Sequence, residues 1–234
     1  MANANSLDLE AGSSQYASDS SPSANLNIAG DLTLRGWVKF ESTPASGNRM
    51  VFESNRSPSD GRWVYTFALF NNAGTLQLEF SHKNSSDQND NAVVDWTPSL
   101  DTWYFIAVTV ATNTVKFYVG TVDSAPAQQG SNQTLSFTRT TSGSPTHFLG
   151  ATTSGLYFDG LIDDWRVYNT VVSFTDYKQE GTGSESNLQG YWKLNNDYTD
   201  STANGTDLTA SGSPVFSTDV PFIGGRSGLQ SKYW

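Results

Sequence analysis

Strict alternation of apolar and polar side chains over short stretches is the feature that most restricts how this chain can fold. In Leu32–Phe40, Leu32, Leu34, Val38 and Phe40 fall on one face of an extended chain, and Thr33, Arg35, Trp37 and Lys39 fall on the other. A period of two is typical of a β-strand with one face packed against a core. No long stretch has the helical period that an α/β protein would need. The sequence therefore predicts an all-β fold.

The same alternation, bounded by Gly, Asn, Ser and Asp, recurs along the chain and predicts further strands. They are 64–70 paired with 75–81, 103–110 paired with 114–120, and later 158–168 and 188–194. Asn71 to Gly74 joins the first pair, and such residues tolerate the positive φ of a tight hairpin. Three polar segments between strands, 42–48, 84–91 and 124–132, are predicted to be long rim loops, where ligand contacts usually lie.

Aromatic residues supply the apolar area for a core. The chain has 13 Phe, 10 Tyr and 7 Trp, whereas charged residues make up only 15%. Burial of one large apolar side chain stabilises a fold by roughly 1.5–3 kcal/mol. The absence of cysteine excludes disulfides, thiolate zinc sites and thiol catalysis. We expect one sandwich domain over 1–223, which 188–223 closes, and a tail over 224–234. The alternative is that 188–223 begins a repeat.

A net charge of −10 argues against nucleic acid and anionic membranes, because clustered Lys and Arg bind both. No apolar run approaches the roughly 20 residues that cross a bilayer, so no membrane insertion is expected. Residues 1–5 lack the pattern of a secretion signal. We therefore expect either a piece of a longer secreted protein or export by another route.

Several segments in order resemble the laminin-G-like jelly-roll domains of the concanavalin A-like lectin/glucanase superfamily. These segments are 6–10 with 32–39, 102–109, 115–120 and 158–169. The resemblance implies a two-sheet antiparallel β-sandwich at an extracellular, cell-surface or virion-surface location. One segment departs from the family pattern, because 188–194 resembles a stretch that precedes the jelly roll in many relatives and here follows it.

Glucanases share the fold that this resemblance implies, so glycoside hydrolysis is a possible activity. Retaining enzymes need two carboxylates about 5–5.5 Å apart, and laminarinase-like members carry a Glu-x-Asp-x-x-Glu strand. None of the six Glu residues stands in that pattern, and His82 and His147 have no nucleophile near them in the sequence. The chain is therefore predicted not to be an enzyme.

A calcium site is the first candidate for ligand chemistry. Alternation places Asp163 on one face with Leu161, Trp165 and Val167, where a carboxylate is costly unless it is paired or bound to a metal. The resemblance implies a structural calcium where the terminal strands meet.

Asp163 with Glu10 or Asp8 is the predicted calcium cluster. Carboxylates and backbone carbonyls are the oxygen ligands that calcium takes in proteins. The alternative is a carboxylate of Asp163 that is capped, or paired with Arg166 or Arg35.

A glycan site is the second candidate, because sugar sites combine an aromatic ring with charged and amide donors. Trp37, flanked by Arg35 and Lys39, has this chemistry, and Trp63 and Trp96 lie near polar loops. The alternative for each Trp is a place in the core. The sequence predicts a module that recognises an extracellular ligand, first a glycan. A structural or protein-binding domain of a cell-surface or virion appendage is the alternative. No oligomeric state follows from the sequence.

Overall fold

The computed structural model describes residues 3–19, 24–57, 62–141, 143, 145–152 and 154–222. The predicted tail, 224–234, lies outside the described residues. Two single-turn 3₁₀ helices lie at Ala11–Ser13 and Ala24–Leu26. The strands are β1 (Ser6–Leu9), β2 (Tyr16–Ser18), β3 (Leu32–Phe40), β4 (Arg49–Arg56), β5 (Trp63–Asn72), β6 (Thr75–Lys83), β7 (Asn89–Asp95), β8 (Trp103–Ala111), β9 (Thr114–Thr121), β10 (Ala127–Thr134), β11 (Thr146–Leu149), β12 (Gly160–Tyr168), β13 (Leu188–Trp192), β14 (Thr209–Ser211) and β15 (Val215–Ser217). In this part of the chain no helix is long and apolar enough to span a membrane.

The strands form two antiparallel sheets that pack as a jelly-roll sandwich, as the sequence predicts. Sheet A has the order β10-β9-β8-β3-β12-β1-β15, and sheet B has the order β14-β2-β11-β4-β5-β6-β7. One edge of β12 pairs along its length with β3, and the other edge pairs first with β1 and then with β13. The predicted hairpins are β5–β6 and β8–β9.

The last strands of the chain pair with both sheets. In sheet A, β13 pairs with β12 and β15 pairs with β1, whereas in sheet B β14 pairs with β2. The segment 188–217 therefore contributes edges to both layers of the same sandwich.

Apolar side chains from the inner faces of both sheets form the core. Leu34, Val38 and Phe40 of β3 face it, as their alternation predicts, together with Phe52 and Trp165. Gly36 lies directly against the Trp165 indole, and a Cβ atom at Gly36 would stand 2.3 Å from Cε3 of that ring. Glycine at this position therefore makes room for the Trp165 ring in the core.

Two predicted rim loops are wrong in part, because 84–91 includes the first residues of β7 and 124–132 includes most of β10. Residues 124–132 were expected to form a loop, but β10 occupies Ala127–Thr134 and pairs with β9. This strand, Ala-Gln-Gln-Gly-Ser-Asn-Gln-Thr, lies at the edge of sheet A and is mostly exposed. Neither face of this strand packs against the core, so it does not need apolar residues at alternate positions. Its sequence therefore lacks the alternation that predicts a strand.

Candidate functional site

Two of the predicted ligand-binding residues, Trp37 and Arg35, are buried on the outer face of sheet A. Residues 169–187, here called the cover segment, lie over this face. The Trp37 ring is stacked on Tyr177 with 6.0 Å between centroids, and its Nε1 donates to the Tyr177 carbonyl over 2.9 Å. Arg35 donates through both terminal nitrogens to Asp176, at 2.7 and 2.9 Å. Neither residue can contact a ligand in this structure, so the predicted site around them is not formed.

Trp96, another of the predicted ligand-binding residues, packs against the rim of the core. Its ring lies edge-on to Tyr104 at 5.1 Å and to Phe40 at 5.8 Å. Its backbone N–H donates to the Leu76 carbonyl over 2.9 Å. The contacts of this ring are those of a packing residue.

Trp63 lies on the outer face of sheet B, where it lines a cavity of about 190 Å³. Two cations lie against its ring, with Lys83 Nζ 4.5 Å and Arg56 Cζ 5.7 Å from the centroid. Its Nε1 is buried without a hydrogen-bond partner, which costs about 1–3 kcal/mol for a donor. Of the predicted ligand-binding residues, Trp63 is the one that the structure places at a cavity together with charged and polar side chains.

A row of small polar side chains crosses the floor of this cavity. Ser54, Thr66, Ser81 and Asn91 are successive cross-strand partners on β4, β5, β6 and β7, and all four line the cavity. Three spacings between neighbouring strands separate the ends of the row, or about 14 Å. The Ser54 hydroxyl already donates to the Ala151 carbonyl over 2.9 Å. The hydroxyls of Thr66 and Ser81 and the Asn91 amide can each donate and accept hydrogen bonds, which suits a ligand rich in hydroxyl groups.

An ion pair lies at the far side of the cavity from Trp63. Arg49 donates through Nε and through Nη2, at 2.9 Å for the latter, to the two carboxylate oxygens of Glu79. The Arg49 guanidinium also stacks on Phe70, with Cζ 4.1 Å from the ring centroid. Glu79 is nearly fully buried, and the pair fixes the Arg49 side chain against the sheet.

Sequence reasoning missed the polar row and the Arg49–Glu79 pair. Ser54, Thr66 and Ser81 occupy polar positions of otherwise apolar strands, which the alternation rule assigns only to an outer face. Their alignment into one row depends on the register of four strands. A bulge after Val51 and another after Asn55 help to set that register, and neither has a signal in the sequence.

Three carboxylates converge where β1 and β3 end. Single oxygens of Asp8, Glu10 and Glu41 all lie within 4.8 Å of one another. Burial raises the pKa of Glu41, and the carboxylates of Asp8 and Glu10 raise it further. Burial and then the neighbouring Asp159 likewise raise the pKa of Asp8. These oxygens fit a hard cation, which would relieve the repulsion.

Asp163, the other predicted calcium ligand, lies outside this group. A bulge between Asp163 and Arg166 interrupts β12, with Asp164 at φ 49°. Asp163 therefore shares its face with Leu161, as predicted, but Trp165 and Val167 point into the core on the other face. The predicted common face of these residues is wrong.

The carboxylate of Asp163 is fully buried beside the start of the chain. Asn3 donates to its Oδ2 over 2.7 Å, and its Oδ1 has no hydrogen-bond partner. Burial raises the pKa of Asp163 well above its ordinary value, because removal from water disfavours the charged form. The structure thus gives Asp163 an amide partner, which is closer to the capped alternative than to a cluster with Asp8 and Glu10.

Solved structures with the same fold include proteins of several kinds. A candidate carbohydrate-binding protein from Bacteroides ovatus superposes with a TM-score of 0.63 at 14% identity, over 95% of this chain and 62% of that one. The SAP-like pentraxin of Limulus polyphemus superposes with a TM-score of 0.51 at 11% identity, over 86% of this chain and 87% of the pentraxin chain. The enzymatically active domain of tailspike protein 2 from bacteriophage CBA120 superposes with a TM-score of 0.52 at 11% identity, over 76% of this chain and 28% of the tailspike chain. The chain spans about three fifths of the length of the Bacteroides protein, and likeness at these identities shows the fold alone.

Sequence comparison identifies the family directly. Comparison with curated proteins finds no significant match. The model of the family Laminin_G_3, in the concanavalin A-like lectin/glucanases superfamily, matches residues 11–176, which is more than half of the 234 residues. With the jelly-roll sandwich described above, this match shows that the chain belongs to the Laminin_G_3 family of the concanavalin A-like lectin/glucanases superfamily.

Proposed function

We infer that the chain is a non-catalytic binding module that holds a glycan on the outer face of sheet B. The observation that carries this inference is the cavity beside Trp63, floored by the polar row of Ser54, Thr66, Ser81 and Asn91. An apolar ring wall with convergent polar groups is the usual composition of a small-ligand site. A sugar matches it, because a sugar has apolar C–H faces and a rim of hydroxyls.

The charged groups of the cavity add further donors. Arg56 and Lys83 lie beside the Trp63 ring, and Arg49 lies at the opposite wall. Superposition on a candidate carbohydrate-binding protein is in keeping with this proposal. The phage tailspike among similar folds supports a location outside the cell or on a virion surface.

Removal of the Trp63 ring is expected to abolish most glycan binding. A glycan array first identifies a binding polysaccharide, and isothermal titration then compares Trp63→Ala with the parent protein. Truncation of a central aromatic contact costs about 2 kcal/mol or more, or a loss of affinity of about 30-fold. Trp63→Phe, which keeps a ring, is expected to retain part of the affinity.

Val215→Ala serves as the matched control, because Val215 is an exposed apolar residue on the edge of the other sheet. It is expected to bind as the parent does. An array without any glycan signal would contradict the proposal and would favour a protein partner. Equal affinity of Trp63→Ala and the parent would move the site away from this cavity.

A structural calcium held by Asp8, Glu10 and Glu41 is also part of this proposal. Calcium at 100 times its dissociation constant is expected to raise the free energy of unfolding by about 2.7 kcal/mol. The measurement is thermal melting with calcium and with EDTA. Glu41→Gln should remove the response, whereas Asp163→Asn should keep it because Asp163 lies outside the group. The reverse pattern would place the ion at Asp163, and no response in the parent would exclude the ion.

A further inference from the structure

A second cavity adjoins the first on the outside of sheet B. It has a volume of about 370 Å³ and lies between the loop 43–45, Asn48 and the ring of Tyr157. Arg49 and Leu156 line both cavities. Because the two cavities share these walls and both open to solvent, one extended ligand can reach both, and we refer to the two cavities with Arg49 and Leu156 between them as the groove.

The groove follows the direction of β4. Arg56, the strand partner of Trp63, marks one end, and Arg49, which lines the second cavity, stands seven positions earlier on the same strand. Seven residues of extended chain span about 23 Å. The groove is thus considerably longer than the width of the polar row.

An aromatic side chain stands at each end of the groove. Trp63 lines the first cavity, and Tyr157 lines the second. Tyr157 is half-buried and is stacked on Tyr16 with 6.2 Å between centroids and 22° between planes. This stacking holds the Tyr157 ring in place, so it can serve as a preformed surface for a ligand.

Between the two rings, polar groups line the groove together with the apolar side chains of Val51 and Leu156. The hydroxyls of Ser54 and Thr66 and the Arg49–Glu79 pair lie along its course. Thr152 and Ser154, whose hydroxyl oxygens are 2.8 Å apart, form part of its side. A ligand that fills the groove must therefore have an apolar surface at two separated places and hydrogen-bonding groups between them.

We propose that the groove binds a linear polysaccharide lengthwise, with sugar units of one chain in both cavities. This inference rests on the proposed glycan-binding function and specifies its ligand class. A polymer repeats the same apolar face and hydroxyl rim along its length, and it therefore satisfies both rings and the polar stretch at once. The internal part of the chain is recognised, since both cavities are open.

The experiment is isothermal titration with an oligosaccharide ladder. The ladder, from one to eight units, is prepared by partial hydrolysis of whichever polysaccharide gives the array signal. Linkage of two contact regions raises affinity by about 10²–10⁴-fold when one ligand can reach both. The affinity is expected to rise at least about a hundredfold from the monosaccharide to the octasaccharide.

Variants of Tyr157 separate the two cavities. Tyr157→Ala is expected to lower the affinity for the octasaccharide by at least about tenfold and to leave that for the shortest binding oligosaccharide unchanged. Tyr157→Phe keeps the ring and should bind like the parent. Trp63→Ala should weaken binding at every length. Melting curves of each variant verify that the fold is retained.

Two results would overturn this inference while leaving glycan binding intact. One is an affinity for the monosaccharide equal to that for the octasaccharide. The other is an octasaccharide affinity that Tyr157→Ala does not change, which would mean that only the cavity at Trp63 is occupied. Failure of the proposed function is a different result, namely an array without signal, and the inference would then fall with it.

Discussion

Replacement of Asp164 by Asn is expected to lower the free energy of unfolding by about 3 kcal/mol. Asp164 is buried and accepts two hydrogen bonds from Arg166 Nη2, both at 2.9 Å, and one from the Tyr191 hydroxyl at 2.6 Å. Burial alone would lower the pKa of Arg166, but Asp164 together with the neighbouring Tyr191 and Tyr168 outweighs burial and raises that pKa. Arg166 is fully buried, so without the carboxylate its charge loses its nearest counter-ion.

The magnitude follows from the cost of breaking a buried pair, which is about 3–5 kcal/mol when one partner is removed. The lower end applies because Arg166 also donates to Asp176 over 3.1 Å. Asn is the appropriate replacement, since Asp164 has a φ of 49°, and Asn tolerates this left-handed region better than Ala does. The loss measured should thus reflect charge rather than backbone strain.

Asp87→Asn is the matched control for this experiment. Asp87 also has a positive φ, 61°, and also pairs with a cation, Lys83 at 2.7 Å. Its side chain is 60% exposed, and exposed pairs contribute only about 0–1 kcal/mol. Urea denaturation of both variants gives the comparison. Equal and small losses would show that Arg166 does not depend on Asp164.

The sequence could predict only part of what lies on the outer face of sheet A. Alternation correctly assigns Arg35 and Trp37 to the face of β3 that points away from the core. Whether that face meets water depends on the cover segment, whose Asp176 and Tyr177 have no periodic pattern that would indicate where they pack. The sequence therefore placed Arg35 and Trp37 on the correct face of β3, but it predicted that this face is exposed to a ligand, whereas the cover segment buries it.

The residues of the candidate glycan site could likewise be predicted only in part from the sequence. Trp63 could be named from its polar neighbours in the sequence, whereas Tyr157 could not, because a loop carries it to the groove. Cross-strand register brings Ser54, Thr66 and Ser81 into line. The fold class and the two hairpins follow from local patterns, but a site assembled from four strands and two loops requires the three-dimensional structure.

Glu53 gives the second large expected effect, which depends on pH. It is fully buried in the core, where Trp165 Nε1 donates to Oε2 and His147 Nδ1 lies 3.4 Å from Oε1. Burial raises the pKa of Glu53 to about 8, although the hydrogen bond from Trp165 opposes the shift. Burial lowers the pKa of His147 to about 3. Between these values both side chains are neutral.

Because the pKa of Glu53 is raised in the folded state, the contribution of Glu53 to the free energy of unfolding falls as pH rises. Below pH 4.5 Glu53 is protonated in both states, so it adds no cost. Between pH 4.5 and about 8 the unfolded chain releases the proton and the folded chain keeps it, which costs about 1.4 kcal/mol per pH unit. The accumulated cost at pH 7 is about 3 kcal/mol.

Glu53→Gln removes this titration and keeps the shape of the side chain and an oxygen acceptor for Trp165. The variant is expected to be more stable than the parent at pH 7 by about 3 kcal/mol more than it is at pH 4.5. Urea denaturation across this range measures the difference. Glu79→Gln is the control, because Glu79 is equally buried but paired with Arg49, and it should show no such gain. If Glu53→Gln is instead less stable than the parent at both pH values and gains nothing on it towards pH 7, Glu53 is ionised and paired with a protonated His147. The core of the sandwich would then contain an ion pair rather than two neutral groups.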